Sequence, residues 1–293
     1  MPNFDLHMHS TYSDGDLDLD KLLKRCKEKG LKTVSVTDHD TIDHIKPAKK
    51  IGSDLGLRVV SGVEISVGFQ DRSYHLLGYG FNFRDKAIQK EMEKQVKSRK
   101  ERIKKIAINL KKLGFDLNIN IKKIANKDGS IGRPFLAKKV IENPSNKKKL
   151  EKENIKCVQD VFDNYLKKGK PAYEERYRTN LDRAIKIIHQ SGGISSWAHP
   201  VFDTRDKPEI LETTLEQFVD CGLDAIEVFY GNQNLRDTRR IFKLSERYDL
   251  VKTAGSDFHG PSRKKYSKIG DWNLHDFSSP ECLDFFDKKD LFS

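Results

Sequence analysis

The most chemically suggestive feature of the sequence is a pair of histidines two residues apart, in the segment FDLHMHS. Side chains alternate between the two faces of an extended strand, so His7 and His9 point one way while Leu6 and Met8 point the other. Two imidazoles on one face of a strand can reach a single metal ion. The spacing therefore predicts a metal site on this strand.

Two further strand-like segments carry side chains of the same kind. In SDFHG, Asp257 and His259 lie two residues apart, just after the apolar run Leu250–Ala254. In VVSGVEIS, Glu64 shares a face with Gly62, whose lack of a side chain leaves room for a carboxylate. We expect these groups to join the histidine pair.

A fourth segment, TDHDT, places His39 directly after the apolar run Thr33–Thr37. Its flanking carboxylates, Asp38 and Asp40, are predicted to support the ligands by fixing histidine tautomers. One HxH pair is weak evidence, whereas four such sites at strand ends indicate a metal centre with more ligands than one ion needs.

The available ligands narrow the choice of metal and of compartment. The set offers nitrogen and oxygen atoms without thiolate, which suits Mn²⁺, Zn²⁺, Fe²⁺ or Mg²⁺. Four cysteines are scattered without a CxxC pair, as expected of a reducing cytoplasm: Cys26, Cys157, Cys221 and Cys282. No apolar run approaches the ~20 residues of a spanning helix. We therefore expect a cytoplasmic protein without membrane contact.

Short apolar runs and helical patterns alternate outside the middle of the chain, which predicts a parallel sheet or barrel with helices outside. The predicted strands are Phe4–Met8, Thr33–Thr37, Val59–Ile65, Gly193–Trp197, Ala225–Phe229 and Leu250–Ala254. The predicted helices are Leu17–Lys29, Asn180–Gln190, Pro208–Cys221 and Leu235–Tyr248.

Six of the nine histidines lie within or just beyond strand-like segments, where catalytic residues collect in α/β barrels: His7, His9, His39, His75, His199 and His259. The other three, His44, His189 and His275, are expected to have no part in the site.

The middle of the chain differs in charge and pattern. The whole protein has a net charge of +11, but the segment Arg84–Asn154 alone carries 22 basic and 9 acidic residues, against 33 and 35 elsewhere. Its apolar spacing predicts helices over Ala87–Leu113, Ile119–Asn126, Arg133–Glu142 and Val158–Lys168. We interpret it as a basic helical insertion.

The motifs HMHSTYSDG, TDHDT, GVEIS followed by YHLLGYGF, AHP and GSDFHG, in this order, resemble the polymerase-and-histidinol-phosphatase (PHP) family of metal-dependent phosphoesterases. The resemblance implies an α/β fold, a distorted (β/α)7 barrel formed by residues 1–85 and 169–293, with residues 86–168 as the insertion domain. It also implies two or three divalent ions, with Mn²⁺ expected.

The resemblance assigns nine metal ligands. The first ion would be held by His7, His9, Glu64 and Asp257; the second by Glu64, His75 and His199; the third by Asp14, His39 and His259. Asp257 is also the candidate catalytic residue that orients the attacking water or relays its proton.

The branch that acts on nucleotide and RNA phosphates is the most similar one, through GRPF, GKPAY and GLDAIEVFY. Arg133 and Lys170 are the candidate substrate-binding residues, since a guanidinium presents a planar fork to phosphate. Phe135 stands where this branch usually has histidine, which removes a polar group from the pocket wall.

The predicted activity is hydrolysis of a nucleotide or RNA phosphate ester by a metal-activated hydroxide. The substrate would be a nucleoside 3′,5′-bisphosphate or a short 5′-phosphorylated RNA trimmed from its 5′ end. Two alternatives stay open: a histidinol-phosphate phosphatase, and a nucleic-acid-binding module whose metal site is structural. The basic helices could also be a surface that only aids solubility. The sequence identifies no protein partner.

Overall fold

The computed structural model describes residues 3–120, 132–262, 268–274 and 277. The chain divides into two compact units, one formed by the residues up to Glu93 and from Arg178 onward, the other by Lys94–Tyr177. The predicted insertion boundary at residue 86 coincides with the first residue of a helix that runs on to Lys112.

Among the described residues, the first unit is built on one sheet of eight strands. They are β1 (Phe4–Met8), β2 (Thr33–Val36), β3 (Arg58–Phe69), β4 (Arg72–Tyr79), β5 (Thr179–Asn180), β6 (Ile194–Trp197), β7 (Ala225–Tyr230) and β8 (Val251–Gly255). Seven follow the order β1-β2-β3-β4-β6-β7-β8, and the short β5 pairs with β3. The predicted α/β barrel class is confirmed.

The sheet is mixed rather than wholly parallel. β4 runs antiparallel to both β3 and β6, and Phe69 pairs with Arg72 across a two-residue hairpin turn. None of the apolar runs predicted as strands covers β4. The alternation of apolar and polar residues in β4 is broken by the consecutive residues Leu76 and Leu77, both buried.

The first and last strands meet, which nearly closes the barrel. His7 accepts a hydrogen bond at its carbonyl from the Asp257 backbone nitrogen at 2.8 Å, and the His9 nitrogen donates to the Phe258 carbonyl at 2.9 Å. Gly255 makes this approach feasible, because a Cβ there would lie 2.2 Å from the His7 Cβ. The closure brings two candidate ligand segments side by side.

The helices of the first unit are Leu19–Glu28, Ile45–Leu55, Leu181–Gln190, Pro200–Asp203, Leu211–Asp220 and Leu235–Arg247. They bury apolar faces against the sheet; Ile185, Ile188 and Phe218, for example, belong to its core. The helix Ile45–Leu55 was not predicted. Pro47 lies in its first turn, where a missing backbone N–H is tolerated.

The second unit contains the rest of the helix Lys86–Lys112, which carries the predicted Ala87–Leu113 pattern, and the helices Arg133–Glu142, Lys147–Lys152 and Val158–Val161. A 3₁₀ turn (Pro144–Asn146) and a π turn (Phe162–Leu166) connect with them. The unit has an apolar core of its own, including Ile106, Leu110, Leu136 and Leu166. Most of the predicted helix Ile119–Asn126 lies outside the described residues.

Among the described helices, none is long and apolar enough to cross a bilayer.

Candidate metal centre

Glu64 lies at the middle of a buried cluster in the first unit. It is fully buried on β3, and Gly62 on the same face allows the close approach of β2, since a Cβ there would lie 2.0 Å from Ser35 Oγ. Five imidazole nitrogens approach its carboxylate: His39 Nδ1 at 2.9 Å, His199 Nε2 at 3.0 Å, His75 Nδ1 at 3.1 Å, His9 Nε2 at 3.2 Å and His7 Nε2 at 3.5 Å. A single carboxylate therefore connects every part of the candidate site.

The first group of potential ligands combines β1 with the loop after β8. The Nε2 atoms of His7 and His9 lie 3.4 and 3.2 Å from Asp257 Oδ1, and both also face Glu64. One ligand atom from each of these four residues falls within 4.8 Å of the others. The structure thus brings together the four residues predicted for the first ion.

The second group shares His9 with the first. Asp14 Oδ1 is 3.3 Å from His259 Nε2 and 3.8 Å from His39 Nε2. These three residues, with His9 as a fourth, again offer ligand atoms within 4.8 Å of one another. Asp14, His39 and His259 are the residues predicted for the third ion, and His9 is an addition to that set.

The third group forms around β4 and the end of β6. His75 Nδ1 and His199 Nε2 are 3.3 Å apart, and both contact Glu64 Oε1. Asp203 completes a set with these two histidines, and its Oδ1 lies 3.4 Å from His199 Nδ1. Asp203 was not predicted from the sequence; it follows AHP by three residues and ends a short helix.

A multi-metal site fits these residues because several of their polar atoms have no other use. Within the described part of the chain, no group completes a well-directed hydrogen bond to His7 Nε2, His9 Nε2, His39 Nδ1 or Glu64 Oε2. Buried polar atoms are normally satisfied, and leaving one unsatisfied costs about 1–3 kcal/mol. Nitrogen and oxygen atoms converging without partners are what a bound cation requires.

The electrostatics of the cluster point to competition between protons and metal ions. Burial lowers the pKa of His9, but the Asp257 and Glu64 carboxylates, each 3.2 Å from Nε2, outweigh it and raise the pKa to about 9. Burial raises the pKa of Glu64, yet the surrounding imidazoles, His39 foremost, hold it well below its usual range. Burial takes the pKa of His39 down to about 4. Without ions, protons on some of the imidazoles balance the carboxylates.

Glu227 on β7 is a buried carboxylate that positions two of the histidines. It was not predicted from the sequence. Its Oε1 accepts a hydrogen bond from His7 Nδ1 at 2.9 Å, which leaves the lone pair of His7 Nε2 directed at the site. Its Oε2 accepts from the backbone nitrogen of His199 at 2.8 Å. That bond holds His199 in a left-handed conformation with φ of 31°, which residues other than glycine seldom adopt.

Asp38 and Asp40 have different supporting contacts. Asp38 Oδ1 accepts a 2.5 Å hydrogen bond from Ser13 Oγ, which lies 3.4 Å from His9 Nδ1. Asp38 therefore reaches His9 through a serine. Asp40 instead accepts from the Ser66 nitrogen at 2.7 Å and so fixes the backbone of β3 beyond Glu64.

Two of the three remaining histidines have contacts of their own away from the ligand groups. His44 Nε2 is 2.9 Å from the Val36 carbonyl, and His189 Nε2 is 2.7 Å from Asp224 Oδ2. Neither belongs to a ligand group found among the described residues. His275 lies outside the described residues.

The two candidate substrate-binding residues belong to the second unit. Arg133 begins a helix, donates from Nη1 to the Leu166 carbonyl at 3.1 Å, and has its guanidinium 5.6 Å from the centre of the Phe162 ring. Lys170 is exposed in a turn, where its backbone nitrogen bonds to the Lys167 carbonyl.

Comparison with known proteins gives concordant matches. The PHP domain family model matches residues 5–217. The chain is 29% identical over 261 residues to the 5'-3' exoribonuclease Rnm of Escherichia coli (strain K12), covering 88% of this chain and 85% of the relative. It is 27% identical over 265 residues to the 3',5'-nucleoside bisphosphate phosphatase of Chromobacterium violaceum, covering 89% and 88%. A solved structure from C. violaceum, an amidohydrolase with bound SO4 and no metal, superimposes with a TM-score of 0.79 at 24% identity, covering 98% of this chain and 96% of that one.

Replacing Glu227 by glutamine tests its positioning role. Glutamine has only one acceptor oxygen, whereas Glu227 accepts hydrogen bonds at both oxygens, so one donor would face an amide NH₂ group. We expect the affinity for Mn²⁺ to fall by roughly 10- to 100-fold, measured by competition with a chelator. The exposed Glu212, ion-paired with Arg247, provides a matched control, and Glu212→Gln should bind Mn²⁺ normally. An unchanged affinity in Glu227→Gln would show that Glu227 does not position the ligands.

Metal binding should release protons and strengthen with pH. The raised pKa of His9, about 9, means that its imidazole is protonated at neutral pH, and a cation must displace that proton. The apparent affinity for Mn²⁺ therefore rises as pH increases toward 9. Indicator dye in weakly buffered solution measures the protons released at pH 7. His189→Ala, which alters an imidazole outside the site, should release the same number; a pH-independent affinity would contradict the expectation.

Proposed function

Because the chain belongs to the PHP family and is a metal-dependent phosphoesterase, we propose that it hydrolyses a phosphate ester of a nucleotide or a short RNA. The cluster around Glu64, with its unsatisfied buried nitrogens, carries this proposal. Two relatives that align with most of the chain are named as an exoribonuclease and a bisphosphate phosphatase, which supports a nucleotide substrate.

We assign two or three divalent ions to the nine predicted ligands, with Mn²⁺ expected and Zn²⁺, Fe²⁺ or Mg²⁺ as alternatives. When bound, the ions would lower the pKa of a coordinated water and neutralise charge on phosphate. Glu64 would be shared between neighbouring ions, since its two oxygens face different histidines: Oε2 faces His9 and His39, while Oε1 faces His75 and His199.

Asp257 is the proposed proton acceptor and orienting group. Burial raises its pKa, but His259 and His7 outweigh burial and keep the pKa well below its usual range, so the carboxylate is ionised at neutral pH. Tyr230 donates a hydrogen bond from its hydroxyl to Asp257 Oδ2 at 3.1 Å. That bond fixes the carboxylate plane and leaves Oδ1 facing His7 and His9, the position from which it can orient the attacking water or relay its proton.

Arg133 and Lys170 are the proposed phosphate contacts. A guanidinium can donate two parallel hydrogen bonds to phosphate oxygens, and Arg133 uses Nη1 for the Leu166 carbonyl. This anchor, together with the nearby Phe162 ring, limits the rotamers available to the side chain. Lys170 offers an exposed ammonium, which can act as a point charge.

A substrate panel separates this proposal from its rivals. The protein is stripped with chelator, reloaded with Mn²⁺ and offered adenosine 3′,5′-bisphosphate, a 5′-phosphorylated oligoribonucleotide and histidinol phosphate. We expect turnover of one or both nucleotide substrates, because their phosphate esters suit the metal ligands and the basic insertion. Turnover of histidinol phosphate alone would reject the nucleotide assignment.

The same panel addresses the binding-module alternative. If the metals serve catalysis, His75→Ala should abolish turnover while leaving oligoribonucleotide affinity nearly unchanged. Tight RNA binding by wild-type protein without turnover of any substrate would instead support a module with a structural metal site.

Arg133→Ala tests the phosphate contact. Charged hydrogen bonds contribute about 1.5–3 kcal/mol, so kcat/KM for the nucleotide substrate should fall by roughly 10- to 150-fold. Lys138→Ala, on the same helix and within 3.6 Å of Glu142, is the control and should leave kcat/KM unchanged. Equal values for Arg133→Ala and wild type would remove Arg133 from the substrate site.

A further inference from the structure

The helix Lys86–Lys112 presents a line of lysines on the side opposite its apolar face. At 100° per residue, six lysines fall within an arc of roughly 140°. We call these residues the lysine stripe: Lys97, Lys100, Lys104, Lys105, Lys111 and Lys112. Lys100 and Lys104 are partly exposed and the other four are exposed. The buried residues Ile103, Ile106 and Leu110 point the opposite way.

The lysine stripe differs from three other lysines of the same unit, which have carboxylate partners. Lys138, Lys149 and Lys167 each lie within 4.0 Å of a glutamate or aspartate four residues away. Within the described ranges, no carboxylate oxygen lies that close to an ammonium group of the stripe. Glu101 lies on the same face but forms no such pair. Among the described residues, the stripe therefore holds a concentration of positive charge that no carboxylate within 4.0 Å balances.

The length and composition of the stripe suit an extended polyanion. From residue 97 to residue 112 the helix rises ~22 Å, which is longer than a mononucleotide and provides several separate phosphate contacts. One large apolar side chain, Ile108, lies on the same side of the helix as the lysine stripe and is 43% exposed. A helix that lies on a membrane carries an apolar face with several large side chains, which this face lacks.

We infer that the lysine stripe binds the phosphate backbone of single-stranded RNA. The inference rests on the proposed function and narrows it: the stripe would favour oligoribonucleotides over mononucleotides. The contacts would be electrostatic and independent of base sequence, since lysine reads phosphate charge and not base edges.

Two charge-matched triple variants test the inference. In the stripe variant, Lys97→Gln, Lys104→Gln and Lys111→Gln remove three charges. Glutamine preserves the helix because its helix propensity is close to that of lysine. In the control variant, Lys138→Gln, Lys149→Gln and Lys167→Gln remove three charges from paired lysines. Fluorescence anisotropy of a labelled phosphorothioate decaribonucleotide measures affinity of the full-length protein from 50 to 300 mM KCl. Thermal melting checks that both variants fold.

We expect the stripe variant alone to bind the decaribonucleotide at least tenfold more weakly at low salt. Its plot of log affinity against log salt should be less steep by about 2, since each contact to a single strand contributes ~0.7. With Mn²⁺-loaded enzyme, kcat/KM should fall for a 5′-phosphorylated decaribonucleotide and stay within twofold of wild type for adenosine 3′,5′-bisphosphate.

Equal affinities and salt slopes for the two variants would overturn the inference. So would a stripe variant that loses binding to phosphatidylserine vesicles while binding the decaribonucleotide normally. Failure of the proposed function gives a different result: wild type would hydrolyse neither nucleotide substrate, whatever the variants bind.

Discussion

The structure depends on one electrostatic constraint, the burial of several carboxylates among six imidazoles. A buried charge is tolerated only when it is paired or coordinates a cation, and Glu64, fully buried, is within 3.5 Å of five histidine nitrogens. Removing any one partner would leave the others under-compensated, so the cluster acts as a unit. It also explains why the surrounding backbone is so closely specified: each strand must deliver its ligand to the same small volume.

The barrel meets that requirement by bringing strand ends to a common edge. β1, β3 and β4 supply ligands directly, while the segments after β1, β2, β6 and β8 supply the others. Two of these loop ligands, His199 and Asp257, have left-handed backbones with φ of 31° and 54°. Each is held by a hydrogen bond from its own backbone nitrogen, to Glu227 and to the His7 carbonyl respectively. The strained backbone conformations of these two residues are thus stabilised by hydrogen bonds between different strands.

Much of this arrangement could be predicted from sequence, because side-chain alternation in a strand is a local property. β1 was predicted with its observed bounds, and the nine candidate ligands do converge. Other features depend on tertiary structure. The pairing of β4 with both β3 and β6 cannot be inferred from its broken alternation, and Asp203 approaches the site only because a short helix turns it back. Glu227 belongs to a buried strand whose pattern gives no sign that one carboxylate faces two histidines.

The seam between β1 and β8 has a consequence for biosynthesis. Ser256 donates a hydrogen bond to Asp5, 251 residues earlier in the chain, and His7 lies against Gly255. Contacts of such long sequence separation are entropically expensive and form slowly. A nascent chain on the ribosome cannot complete the ligand set until the segment after β8 has emerged. Ligand groups that include Asp257 or His259 are therefore completed late in folding, and ions that bind the finished fold would stabilise it by mass action.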